Sequence, residues 1–128
     1  MRRVWKAEPD RWQEQLRAWA QALAQRPEVL AVVLFGSLAR GEATAMSDAD
    51  VLILLRESPL PFAERLVAYK PQGLGVRVEV FPYTLGEARQ SWLEGWGLLR
   101  PALQEGRVLF EREGALAQVK RVETDSPR

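Results

Sequence analysis

Apolar positions in this chain follow three rhythms, and each predicts a different element. Trp12, Leu16, Trp19 and Leu23 recur at steps of four, three and four, the stripe of an amphipathic helix over Asp10–Arg26. Asp10 stands as its N-cap with Gln13 three residues on, and Pro27 ends it. Val29–Phe35 is an unbroken Val-rich apolar run, the mark of a strand covered on both faces, and Gly36 stops it. Asp50–Leu55 is a second such run, reached through Ser47-Asp48-Ala49. Ser37–Gly41, between the two, reads as one or two helical turns. Ser58-Pro59-Leu60-Pro61 opens a helix whose stripe is Phe62, Leu66 and Tyr69, closed by Pro71. Val76–Phe81 alternates instead, with Val76, Val78 and Val80 on one face and Arg77, Glu79 and Phe81 on the other; Pro82 ends it.

Thr84-Leu85-Gly86-Glu87 has the spacing of a capping box. It predicts a helix carrying Ala88, Trp92, Trp96 and Leu99 on one face, with a break near Pro101 and a C-cap at Gln104-Glu105-Gly106. Arg107–Phe110 reads as a short fourth strand and Glu113–Val122 as a last helix, with Thr124–Arg128 frayed. This alternation of helices and strands predicts an α/β (α+β) fold, a mostly buried sheet with helices packed on it. One domain over residues 1–122, followed by a tail of 123–128, accounts for the chain.

Composition narrows the chemistry. The 128 residues hold no cysteine and no histidine. Disulfide scaffolds, thiol nucleophiles, His-based triads and Cys- or His-ligated metals are therefore excluded. Any metal must be held by oxygen, which points to Mg²⁺, Mn²⁺ or Ca²⁺. A formal net charge of +1 argues against a nucleic-acid coat protein or a polybasic membrane binder. The apolar runs are too short to cross a bilayer, and Met1–Lys6 leads into no apolar signal core, so a cytoplasmic location is the expectation. The absence of Asn and the excess of Arg over Lys fit a heat-tolerant source or a GC-rich genome equally well.

The chain holds four aspartates, and two of them, Asp48 and Asp50, lie at i and i+2 where a buried strand begins. That spacing puts both carboxylates on one face, about 6–7 Å apart along the backbone. They repel unless a cation sits between them, and Mg²⁺ characteristically takes one or two carboxylates plus substrate phosphates. By itself such a pair is usually a solvated strand end. The second feature is Gly36-Ser37, directly after the first buried strand. Gly allows close approach of a ligand, Ser37 and the free N–H groups of a following turn can hold phosphate oxygens, and Arg40 can add a cation. By itself that is usually a turn. Combined as G-S-x10-D-x-D, four fixed positions at about 6% each match by chance in roughly one chain in a thousand of this length. Glu79 offers a third carboxylate inside an apolar strand; it is a metal ligand, a general base, or simply part of a solvated edge-strand face with Arg77.

These residues resemble the nucleotidyltransferase superfamily that includes DNA polymerase beta and kanamycin nucleotidyltransferase, and more closely its minimal nucleotidyltransferases (MNT domains). The resemblance is carried by Val32-Val33-Leu34-Phe35-Gly36-Ser37-Leu38-Ala39-Arg40-Gly41-Glu42-Ala43, by Ser47-Asp48-Ala49-Asp50-Val51-Leu52-Ile53, and by Val76–Val80. It implies a mixed sheet of about four strands with helices against it. It also implies transfer of a nucleoside monophosphate, AMP from ATP foremost, to an acceptor hydroxyl. Asp48, Asp50 and Glu79 would hold two Mg²⁺ ions, with Gly36, Ser37, Arg40 and Ser47 serving the nucleotide. Many members carry Asp where this chain has Glu79, and the extra methylene alters a site in which Mg²⁺ is strict about geometry. MNT domains often pair, as antitoxins, with a helical HEPN-domain protein, which makes such a protein the implied acceptor and partner.

Two other readings stand beside this one. A degenerate member would be a binding module that only masks or senses a partner. A small-molecule transferase of the aminoglycoside type would need a second substrate pocket, which a homo-oligomer could build. The five tryptophans mostly sit at helical core spacing, and the N-terminal arginines read as solvated helix faces.

Overall fold

The structure, a computed structural model, describes residues 3–36, 39, 48–74 and 76–120, with side chains from Trp12 onward. The readings made for Ser37, Leu38, Arg40 and Gly41 as helical turns, for Ser47 and for the tail after Lys120 lie outside the described residues. Among the described residues nine elements run in the order α1 (Arg3–Ala24), β1 (Val29–Phe35), β2 (Ala49–Leu55), α2 (Phe62–Ala68), β3 (Val78–Thr84), α3 (Leu85–Glu94), α4 (Leu99–Glu105), β4 (Arg107–Glu111) and α5 (Ala115–Lys120).

The four strands form one sheet in the order β3-β2-β1-β4. β1 runs antiparallel to both β2 and β4, while β2 and β3 are parallel, joined through α2. A mixed sheet of this kind has two central strands, and both faces of those strands are covered. On one face Leu16, Ala20 and Leu23 of α1 and Tyr69 after α2 pack on Val32, Leu34, Val51, Ile53, Val78 and Val80. On the other, Ala88 of α3, Leu99 and Ala102 of α4, and Ala115 and Val119 of α5 pack on Ala31, Val33, Phe35, Leu52 and Leu54. Double coverage explains why β1 is apolar throughout and β2 is apolar apart from Asp50, whereas edge strand β3 alternates. The α/β sandwich with four strands is thus as the pattern predicted.

Four boundaries differ from the pattern. Helix α1 begins at Arg3, so Asp10 lies within it rather than capping it. The run Val4–Glu8 consists of residues that a helix accepts, whereas Pro9 inside the helix can donate no N–H to the helical ladder and crowds the carbonyl four residues earlier. Pro82 does not end its strand; β3 continues to Thr84, with Pro82 opposite Ile53. β3 is an edge strand, where a missing N–H can fall on the unpartnered side. Helix α3 stops at Glu94 because Gly95 takes a left-handed φ of 82° and its N–H returns to the Ser91 carbonyl. Trp96 therefore leaves the predicted core face and is 43% exposed, and Leu99 starts a new helix in which Pro101 occupies the first turn. The capping box forms as read. Thr84 Oγ1 accepts from the Glu87 N–H at 3.2 Å, and Glu87 Oε1 accepts from the Thr84 N–H at 2.9 Å.

The same Glu87 carboxylate meets a buried cation that the pattern did not predict. Arg65 of α2 is 5% exposed. Its guanidinium forks onto Glu87 at 2.8 and 3.0 Å and also donates to the carbonyls of Leu60 and Pro82, each at 2.9 Å. One side chain thus ties the crossover helix to β3 and to the start of α3, with each nitrogen satisfied. That bidentate bond is also the main reason the Glu87 carboxyl lies below its ordinary range.

Candidate active site at the end of three strands

The end of β1 and the starts of β2 and β3 meet at one end of the sheet. Phe35 lies opposite Asp50 in the antiparallel pair, and Asp50 lies beside Glu79 in the parallel pair. Asp50 therefore sits on the middle strand of the three, with neighbours about 4.8 Å away on each side. Asp48, two residues earlier, belongs to the same face by strand parity. The backbone there is pinned by the Ala49 N–H, which donates to the Arg77 carbonyl at 2.8 Å. Asp48 and Asp50 are half-buried and Glu79 is exposed. Beneath them the rings of Phe35 and Phe81 stack at a tilt, centroids 5.7 Å apart, and form an apolar floor.

Gly36 closes the site from the β1 side. Its φ is 82°, and a Cβ built there would stand 2.5 Å from Asp50 Oδ2. Glycine is favoured here, because a side chain would strain the backbone and force the Asp50 carboxylate to move aside. The Gly at this position, read from sequence as a place of close approach to a ligand, approaches the Asp50 carboxylate itself.

Electrostatics mark Asp50 as the centre of the group. Its carboxyl is pushed above the ordinary range, first by burial and then by the negative charges of Asp48 and Glu79. Asp48 has a cationic neighbour, with Arg77 Nε at 3.6 Å from its Oδ1. Among the described residues no three acidic side chains are arranged to hold a metal ion together. The donor set still fits a hard cation in its minimal form. Two oxygen ligands on one strand, crowded by like charge, are what Mg²⁺ uses when substrate phosphates complete its shell. Glu79 is the register neighbour of Asp50 but does not close on the pair in this arrangement. Ser37, Arg40 and Ser47, the predicted phosphate-binding residues, lie outside the described residues, so Gly36, Asp48, Asp50 and Glu79 are the predicted site residues that the fold brings together. Arg77 was read only as a solvated edge-strand residue. Its position two residues before Glu79, on the same face of an alternating strand, was the signal that it reaches the carboxylates.

Comparison with known proteins agrees with this architecture. Residues 16–94 match the model of the nucleotidyltransferase domain, a span that includes β1, β2, β3 and the acidic pair. The chain belongs to that family, and it is an enzyme of the nucleotidyltransferase class. Two curated Methanocaldococcus jannaschii proteins are similar to it. "Putative protein adenylyltransferase MJ1379" is 37% identical over 70 residues, covering 52% of this chain and 70% of that protein. "Putative protein adenylyltransferase MJ0128" is 37% identical over 67 residues, covering 51% of this chain and 67% of that protein. Two crystal structures share the fold. One, of "a putative nucleotidyltransferase from Sulfolobus solfataricus", superposes with a TM-score of 0.59 at 19% identity, over 83% of this chain and 86% of that one. The other, described as "the toxin-antitoxin with AMP-PNP", gives a TM-score of 0.50 at 13% identity, over 85% of this chain and 87% of that one. No described helix is long and apolar enough to cross a membrane.

Proposed function

We propose that this chain transfers AMP from ATP to an acceptor hydroxyl on a protein, in a reaction that depends on Mg²⁺ held at Asp48 and Asp50. The observation that carries the reading is the placement of Asp50 on the middle strand, under the Gly36 backbone and beside Asp48 and Glu79. A bound divalent cation supplies charge neutralisation at the α-phosphate and a lowered pKa for the acceptor hydroxyl. The chain's own residues do the rest. Asp48 and Asp50 would hold that cation on a rigid strand end, with Asp50 close against Gly36. Gly36 and Ser37 receive the outer phosphates, with Arg40 and Ser47 adding positive charge and hydrogen bonds. In this reading Glu79, exposed at the rim, accepts the proton of the incoming hydroxyl or serves as a further metal ligand. The names of the Methanocaldococcus relatives favour a protein acceptor and adenylyl as the transferred group. The fold shared with a toxin–antitoxin structure holding AMP-PNP is compatible with a toxin–antitoxin role, and the resemblance to MNT domains suggests a HEPN-type helical protein as the acceptor, with this chain as antitoxin.

The test is calorimetric titration with ATP, GTP, CTP and UTP, with and without Mg²⁺, followed by transfer of labelled AMP to a co-expressed helical partner. Mg²⁺-dependent ATP binding and transfer, both lost in the Asp48→Asn/Asp50→Asn double variant with its melting curve unchanged in cooperativity, are the expected results. Transfer that survives the double substitution would refute the assignment. A nucleotide-independent complex indifferent to Asp48 would instead identify a binding module.

A further inference from the structure

Arg77 stands at the strand end that presents the acidic pair, and its backbone is fixed there. Its carbonyl accepts from the Ala49 N–H at 2.8 Å, which locks the residue beside Asp48 whatever its side chain does. Its guanidinium Nε lies 3.6 Å from Asp48 Oδ1. The side chain is 76% exposed and that of Asp48 is 33% exposed, so swinging the guanidinium into water uncovers almost nothing. Crowded carboxylates need a positive neighbour, and an exposed guanidinium pair is weak enough to yield to a compact divalent ion.

We propose that Arg77 is a resident counter-ion for Asp48, which a divalent cation must displace before Asp48 and Asp50 can both ligate it. The inference rests on the nucleotidyltransferase reading of the acidic pair. It assigns to Arg77 a positioning role: it holds Asp48 off the metal position at low cation concentration and sets the concentration at which the site loads. Released, the guanidinium stays at the rim on a fixed backbone.

The experiment is Mn²⁺ binding followed by electron paramagnetic resonance at low ionic strength, with Mn²⁺ alone and with Mn²⁺ plus ATP. Wild type, Arg77→Gln, Arg77→Lys and Asp50→Asn are compared. Arg77→Gln is expected to bind Mn²⁺ about three- to tenfold more tightly, the range that loss of an exposed pair and of one nearby positive charge allows. Arg77→Lys should stay near wild type, since it keeps the charge, and Asp50→Asn should bind little. Binding by Arg77→Gln where wild type shows none would support the proposal equally. Asp50-dependent binding that is unchanged or weaker in Arg77→Gln would overturn the counter-ion role and leave the nucleotidyltransferase reading intact. No Mn²⁺ binding by either protein, with or without ATP, would overturn both.

Discussion

Replacing Gly36 with Ala tests the central contact of the site, because the structure separates its two costs. The first is conformational. Gly36 has φ 82°, and a left-handed backbone costs an L-residue about 1–2 kcal/mol. The second is steric. The new Cβ would lie 2.5 Å from Asp50 Oδ2, and the carboxylate has to retreat by about 1 Å to reach ordinary contact. Pushing Asp50 off its rotamer adds about 0.5–1.5 kcal/mol, for a total of about 1.5–3.5 kcal/mol. Gly73→Ala is the matched control. Gly73 has φ 76° with nothing within 4 Å of an added Cβ, so it carries the conformational cost alone. Urea denaturation measures both variants, and calorimetry measures Mg²⁺-dependent ATP binding. The expected result is a Gly36→Ala protein less stable than Gly73→Ala by about 1 kcal/mol. Its nucleotide affinity should fall about 10–100-fold, the usual effect of disturbing a group that supports a metal ligand. If the two variants are equally stable and both bind ATP like wild type, Gly36 does not position Asp50 and the reasoning fails.

Substitutions at two other glutamates give further outcomes. Glu87→Gln removes the charge that the buried Arg65 guanidinium faces at 2.8 and 3.0 Å. Glu87 itself is 41% exposed, so a discounted cost of about 2 kcal/mol is expected, with a fall of roughly 6–10 °C in the melting temperature. Because the Glu87 carboxyl is depressed in the folded protein, its contribution is complete above the ordinary value of 4.5 and is lost as pH falls through the lower folded value. Acid unfolding of wild type should therefore show a loss below pH 4.5 that Glu87→Gln lacks; parallel curves would refute the pairing. Glu79→Gln should bind Mg²⁺-ATP within a few-fold of wild type but transfer AMP about 10²-fold more slowly, as for loss of a general base. An equal fall in binding and transfer would place Glu79 in the metal shell instead.

Much of this protein was legible in its residue order because the governing physics is local. The unbroken runs Val29–Phe35 and Asp50–Leu55 mark strands buried on both sides, since a solvated face would demand alternation. Thr84 and Glu87 form their capping box from residues three apart, so no distant contact is needed to recognise it. The i, i+2 spacing of Asp48 and Asp50 puts them on one face for the same reason. Tertiary structure decided what depends on pairing between distant segments. The strand order β3-β2-β1-β4 brings Glu79 beside Asp50 and Phe35 opposite it, and no periodicity encodes that register. Pro82 reads as a stop until β3 proves to be an edge strand, where a missing N–H is tolerated. Arg65 lies off the Phe62, Leu66 and Tyr69 stripe of α2, yet Glu87 and two carbonyls enclose it. Arg77 became a partner of Asp48 only through the parallel pairing of β2 and β3. Local patterns are written in side-chain order along the chain, whereas ion pairs and register depend on which segments the core brings together.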